Sequence, residues 1–464
     1  MDIYEPHGDA APPWPPPAAA GPVRARLRLP GSKSMTNRAL VLAALADGPS
    51  AVSNPLRARD TLLMARALAA LGATIETGAP PGTGTAPGTG TAPKPRTAPG
   101  TWRVTPGLPA GNTRVDVGNA GTVMRFVPPV AALTCATVEF HGDARASERP
   151  VGPILAALRE LGAIIDDGGR GAIPFTVRGT GSLAGGVVTL DASASSQLVS
   201  GLLLAAPRYD KGVEVRHRGP RVPSAPHIEM TVQMLRAAGA EVETARTGRD
   251  QPGSGDAADT WRVHPGPIRP GTLAVEPDVV NAAPFLAAAV VTGGTVTIRD
   301  WPGQTTQPAG QLLELLTRIG ARCESTADGL AVTGTGAVHG LAADLGDMPE
   351  LACVLAALAA LADSPSTLTG VGHIRQQETD RLAALATQIN GLGGDVTELP
   401  DGLIIRPRPL HSGVFASYDD HRLVMAAAVL GLAVPGVTVP NAATVGKTFP
   451  EFTSLWSAML EGGP

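Results

Sequence analysis

A run of Ala and Leu, a turn of small residues and a run of β-branched residues follow one another six times along the chain. The copies read VLAALADGPSAVSN (41–54), VAALTCATVEFHG (130–142), GLLLAAPRYDKGVEVRH (201–217), PFLAAAVVTGGTVTIRD (284–300), VLAALAALADSPSTLTGV (354–371) and VMAAAVLGLAVPGVTVPN (424–441). Each predicts a helix running into a strand, and helices this poor in charge are ones buried all round. After five of the six, a second helix stops at a glycine and another strand follows; the glycines are Gly72, Gly162, Gly239, Gly320 and Gly393. A glycine just past a helix suits the left-handed position, where a Cβ is strained. The sixth copy ends with a helix near Phe452 to Leu460. Such long units do not fit a solenoid. They predict an α/β protein of six repeats packed as two groups of three, helices inside and strands outside.

Composition separates this patterned chain from what interrupts it. The 56 Gly and 44 Pro are about 22 % of 464 residues, while 43 % are hydrophobic and only 3 % aromatic. The chain is therefore globular and turn-rich, with a core of Ala, Val and Leu. Three stretches fall outside the repeats: a Pro/Ala tail at 1–22, expected to be disordered, and flexible inserts at 79–100 and 245–260. The domains expected are 23–31 with 270–464 (domain 1) and 32–269 (domain 2).

A net charge of −4 argues against a nucleic-acid or anionic-membrane surface, so any anion site must be a local cluster. No Ala/Leu run is long enough to span a bilayer, and the N-terminus lacks the basic and apolar regions of a secretory signal. Cys135, Cys323 and Cys353 lie in or beside apolar segments without a CxxC pair or histidines at metal spacing. They read as small apolar fillers in a reducing, cytoplasmic setting, with no metal and no cofactor expected.

The candidate chemistry sits in the turns that open helices. LPGSKSMTNRAL (29–40) sets Lys33 and Arg38 beside a Gly-containing loop, with Ser32 or Ser34 placed to cap the helix; free N–H groups and two cations suit an anion. In VGNAGTVMRF (117–126), small residues such as Gly121 let the backbone approach a ligand closely, and Asn119, Thr122 and Arg125 supply donors. GDARASERPVG (142–152) offers Arg145 and Arg149, whose forks match a carboxylate or phosphate. DASASSQLVSG (191–201) crowds Ser193, Ser195, Ser196 and Gln197 at a helix start. HIRQQETDRLAAL (373–385) places Glu378 and Asp380 ahead of Arg381. SYDDHRLVMAAA (417–428) holds Asp420 and Arg422, and NAATVGKTFPEF (441–452) holds Lys447. Cations that recur at helix N-termini suit small polyanions, and the few acids among them suit proton transfer.

These motifs, in this order and spacing, resemble the EPSP synthase family, the 3-phosphoshikimate 1-carboxyvinyltransferases, from about Val23 to about Leu460. The resemblance implies a two-domain inverse α/β barrel of the enolpyruvyl transferase type, with six βαβαββ-type repeats, three per domain. It implies transfer of the enolpyruvyl group of phosphoenolpyruvate to the 5-hydroxyl of 3-phosphoshikimate, in the route to chorismate and the aromatic amino acids. Carried across by motif, 3-phosphoshikimate would be held by Lys33, Ser34, Arg38, Ser195, Ser196, Gln197, Ser224, Glu350 and Gln377. Phosphoenolpyruvate would be held by Lys33, Asn119, Gly121, Thr122, Arg149, Gln197, Arg381, Arg422 and Lys447. Glu350, Glu378 and Lys33 would be the acid–base groups. A monomer inhibited by glyphosate is expected.

The sequence departs from the family pattern at several places. Glu350, in DMPELAC, stands where Asp is usual; Gln377 stands for Lys, His373 for Asn, His227 for Tyr and Phe126 for Pro. The EPDVVNAAPF segment (276–285) lacks the usual Ser pair. Two alternatives carry the same fold: enolpyruvyl transfer to a UDP-sugar, and a non-catalytic anion-binding relative.

Overall fold

The computed structural model describes residues 12–78, 100–107, 109, 111–246 and 259–462. The chain divides into two compact units: unit 1 comprises residues 1–29 and 277–464, and unit 2 residues 30–276. The strand Thr272–Ala274 pairs in parallel with Ser50–Ser53, so residues 270–276, expected in domain 1, fold with unit 2.

Each unit has its own core of Ala, Val and Leu. Unit 2 is built from three four-stranded sheets of one pattern. In the middle one, Thr113–Asp116 pairs in parallel with Thr137–His141 across a helix, and Ile164–Asp166 and Phe175–Arg178 return as an antiparallel hairpin. A parallel pair needs a crossover and a hairpin does not, so the strand–helix–strand–helix–strand–strand order dictates this sheet. Unit 1 repeats the pattern twice, and its first strand, Arg24–Leu27, comes from the N-terminal end of the chain to pair with Thr295–Arg299.

The two helices of a repeat differ as their sequences do. In two of the first helices, Gly121–Ala131 and Ala352–Ala360, every residue is buried, and in the other first helices most are. In the second helix Ala309–Ile319, only Ala309, Leu312, Leu315, Leu316 and Ile319 are buried, one stripe at helical spacing. All five predicted stop glycines have positive φ, from 90° at Gly239 to 112° at Gly320.

The sixth repeat is short. Among the described residues its sheet has two strands, Gly413–Val414 and Val437–Thr438, followed by the helix Phe452–Leu460. The N-terminal segment stands in for the missing partner. Trp14 and Val439 form an antiparallel bridge, donating to each other's carbonyls at 2.9 and 2.8 Å, and the Ala19 amide donates to the Leu432 carbonyl. The Trp14 ring meets Phe452 edge-on, 6.3 Å between centroids, at the margin of a cluster of Phe285, Phe449, Phe452 and Trp456. The disorder expected over 1–22 is thus corrected for residues 12–22, which are strapped to unit 1; residues 1–11 lie outside the described ones, as do 79–99 and 247–258 of the two inserts. The cysteine expectation is corrected too. Cys353 is buried, its thiol pushed up to about 12 by desolvation, but Cys135 is exposed and fills no core.

Candidate active site

The motif residues lie at or just before helix N-termini in both units, where backbone N–H groups lack intrahelical partners. In unit 2, Lys33, Ser34 and Arg38 lie on the helix Lys33–Ala44. Neither serine caps it: the N-cap position is Ser32, and its side chain accepts no bond. Lys33 Nζ is 3.3 Å from the buried carboxylate of Asp60. Arg38 is fully buried and points into the helix bundle. Its Nε donates to Thr231 Oγ1 (2.7 Å), Nη1 to the Ser34 carbonyl (3.0 Å), and Nη2 to Ser200 Oγ (3.2 Å) and the His227 carbonyl (3.0 Å). All these acceptors are neutral. The guanidinium also lies over the Phe126 ring, 5.2 Å from its centroid, and desolvation pushes its pKa down to about 9.

Two further contacts join the motifs of unit 2. Asn37 Nδ2 donates to Thr122 Oγ1 at 2.7 Å, linking the starts of two helices. Arg149 Nη1 donates to both the carbonyl and Oδ1 of Asn119, each at 2.8 Å, and so fixes the turn before Gly121. Gly121 opens the helix Gly121–Ala131 with no room for a side chain. A Cβ there would lie 2.7 Å from Arg149 Nη2, 2.9 Å from Arg125 Nη1 and 3.0 Å from Gln197 Oε1. Arg125 Nη1 donates to Gln197 Oε1 at 3.2 Å, and its Nη2 to the Pro150 carbonyl at 2.8 Å. Two guanidiniums and an amide thus meet at a bare helix N-terminus, a cradle for a small anion. Ser195 Oγ accepts from the Gln197 amide (3.2 Å), and Ser196 precedes that helix. Ser224, at φ 53°, opens the helix Ala225–Ala237, and its carbonyl accepts from His227, the residue whose own carbonyl holds Arg38.

Unit 1 gathers the remaining candidates. Arg381, fully buried, is gripped by Asp420: Nε to Oδ2 at 2.7 Å and Nη2 to Oδ1 at 3.1 Å. Its Nη2 also reaches Glu378 Oε2 at 3.0 Å, and its Nη1 donates to Gln377 Oε1. The other Glu378 oxygen accepts from Lys447 Nζ at 2.6 Å. Glu378 therefore bridges two cations, one on the following helix and one 69 residues away. Burial works against the Arg381 charge, but the carboxylates of Asp420 and Glu378 outweigh it and raise its pKa. Arg422, also buried, donates through Nη1 to Asn281 Oδ1 at 3.2 Å, and desolvation lowers its pKa. Glu350, in the turn Pro349–Leu351, acts electrostatically on both Arg422 and His373. Burial shifts His373 downward, toward the neutral imidazole.

Arg125 and Asp420, already among the candidates, hold other motif residues; Asp60, Asn37 and Asn281 also hold or face them but carried no signal of their own in the sequence. One acidic group with a histidine lies elsewhere: Glu241, Glu243 and His264 have side-chain donor atoms within 4.8 Å of one another on an exposed hairpin, with His264 Nε2 3.0 Å from Glu243.

The family model of EPSP synthase (3-phosphoshikimate 1-carboxyvinyltransferase) matches residues 17–456. A 3-phosphoshikimate 1-carboxyvinyltransferase of Kocuria rhizophila is 50 % identical over 453 residues, 96 % of each chain. Two solved structures of EPSP synthase from Acinetobacter baumannii superpose with TM-scores of 0.73 and 0.72. Each is 25 % identical and covers 95 % of this chain and 97 % of that one. Among the described residues, no helix is long and apolar enough to cross a membrane. The chain belongs to the EPSP synthase family, with the family's two-domain α/β fold.

Proposed function

We infer that this chain transfers the enolpyruvyl group of phosphoenolpyruvate to the 5-hydroxyl of 3-phosphoshikimate, giving 5-enolpyruvylshikimate 3-phosphate and phosphate, in the route to chorismate and the aromatic amino acids. The reaction is an addition followed by an elimination. A proton goes to the methylene carbon of phosphoenolpyruvate while the 5-hydroxyl oxygen bonds to its C2 and loses its own proton. Phosphate then leaves C2 as a methyl proton is withdrawn. Neither step needs a redox group, and the charge is met by arginine and lysine; the reading invokes no metal or cofactor.

In this reading Arg149, Arg381, Arg422 and Lys447, with the Gly121 turn shaped by Asn119 and Thr122, bind phosphoenolpyruvate. Arg125 joins that set because it meets Arg149 and Gln197 at the same turn. Lys33, Ser34, Arg38, Ser195, Ser196, Gln197, Ser224, Glu350 and Gln377 serve 3-phosphoshikimate. Lys33 and Gln197 serve both substrates. Glu378 moves the proton at the methylene carbon, with Lys447 in contact to pass or stabilise it; Glu350 takes the proton of the 5-hydroxyl, and Lys33 assists as an acid. The observation that carries the reading is Glu378 itself, a buried carboxylate held between Arg381 and Lys447. Holding both anions beside it supplies orientation as well as charge.

Phosphate release measured with both substrates, with each alone, and with a UDP-sugar in place of 3-phosphoshikimate tests the assignment. Release should require both named substrates, and release with the UDP-sugar would overturn it. The retained Gly121 supports inhibition by glyphosate in competition with phosphoenolpyruvate, and a cytoplasmic monomer fits the same reading.

A further inference from the structure

The segment 276–285, which lacks the family's usual Ser pair, carries an asparagine at position 281. Asn281 is fully buried in the first turn of the helix Val279–Thr292, its amide N–H bonded to the N-cap carboxylate of Asp278 at 2.9 Å. Gln307 pins the same turn from both sides: its Oε1 accepts from the Val279 amide and its Nε2 donates to the Pro277 carbonyl. From this fixed position Asn281 Oδ1 accepts from Arg422 Nη1 at 3.2 Å, and Asn281 Nδ2 points at the Thr448 carbonyl, 3.5 Å away. Thr448 directly follows Lys447.

The chemistry of the acceptor matters more than the distance. The other side-chain partner of Arg422 Nη1 is Met425 Sδ at 3.7 Å, also neutral, while Asp420 bonds the Arg422 backbone amide and spends its oxygens on Arg381. An amide oxygen orients a guanidinium without cancelling its charge; a carboxylate in the same place would do both.

We propose that Asn281 is a positioning residue for phosphoenolpyruvate, aiming the Arg422 guanidinium through a neutral oxygen and tying it to the segment that carries Lys447. The inference rests on the reading that Arg422 and Lys447 bind phosphoenolpyruvate. Asn281→Asp is isosteric but sets a negative charge against Arg422, and Asn281→Ser withdraws the oxygen by shortening the side chain. Both are assayed against the wild type with each substrate varied in turn, alongside their unfolding midpoints. In Asn281→Asp the KM for phosphoenolpyruvate should rise about tenfold or more, the size of a charge-assisted hydrogen bond. Asn281→Ser should show a smaller rise, and the KM for 3-phosphoshikimate should stay within about twofold in both, since neither change adds or removes a contact to it. Unchanged KM for phosphoenolpyruvate in both variants would overturn the proposal, as would a parallel rise of both KM values with a lowered midpoint, the mark of a merely structural residue. A wild-type protein that released no phosphate from the two substrates would overturn the functional reading, and this inference with it.

Discussion

Arg38 in unit 2 and Arg381 in unit 1 are buried to the same depth and are treated in opposite ways. Arg381 sits against two carboxylates, Asp420 and Glu378, which hold it firmly protonated. Arg38 has only hydroxyls, carbonyls and a Phe126 ring around it, and its pKa falls to about 9. The helix ends follow the same division. Asp278, Asp380 and Asp420 cap three helices of unit 1 with their own carboxylates, whereas among the described residues no N-cap residue of a unit 2 α-helix makes a side-chain cap bond. Arg381 is neutralised in place. Arg38 is left without a carboxylate partner, which costs stability in the unliganded fold and is recovered when an anion arrives.

The sharpest way to break this comparison is to remove Arg381. Arg381→Gln strands the buried carboxylate of Asp420 and should cost roughly 3–5 kcal/mol in urea unfolding, together with activity. A loss below about 1 kcal/mol would show that the carboxylates do not depend on it. The same kind of change at Arg38 should run the other way. Its lowered pKa means that the folded chain holds the proton less tightly than the unfolded chain, so the charge opposes folding at every pH below about 9 and the penalty fades as the pH rises beyond it. Arg38→Gln should therefore leave the unfolding midpoint at neutral pH equal or higher, while 3-phosphoshikimate affinity, read by calorimetry, falls about a hundredfold or more. A lower midpoint with intact binding would reverse the assignment.

Phe126 sharpens the point further. Phe126→Leu removes the ring beneath Arg38 and should cost about 1–2 kcal/mol, part cation–π contact and part packing. That cost should shrink in an Arg38→Gln background; an identical loss in both would mean the ring serves packing alone. An effect of similar size, confined to unit 1, is expected at the N-terminal strap. Deleting residues 2–21 removes Trp14 from Val439 and Phe452 and should cost about 1–2 kcal/mol. Hydrogen exchange should then quicken at Val439, which loses its bridge to Trp14, and remain unchanged across unit 2.

Much of this was legible in the sequence because it is local. The Ala/Leu runs, the β-branched strands and the glycine stops are each set within one helix or turn, and Gly72, Gly162, Gly239, Gly320 and Gly393 all take the backbone that their position asks for. The motif residues were legible for the same reason: a helix start with glycine, serine and a cation marks itself. What escaped were the long-range contacts that no motif marks. Residues 12–22 read as a disordered tail because proline and alanine carry no periodicity, yet their partners lie more than 400 residues away at Leu432 and Val439.

The sequence by itself determined the six repeats, the stops between them and the helix ends at which anions could be held, since these depend on neighbours within a few residues. Only the tertiary structure decided which charges stand alone and which are paired. Arg38 meets Thr231 across 193 positions, Arg381 meets Asp420 across 39, and Asn281 meets Arg422 across 141. An arginine reads the same in any sequence; whether it is neutralised or left charged is fixed by the groups that packing brings within about 3 Å of it.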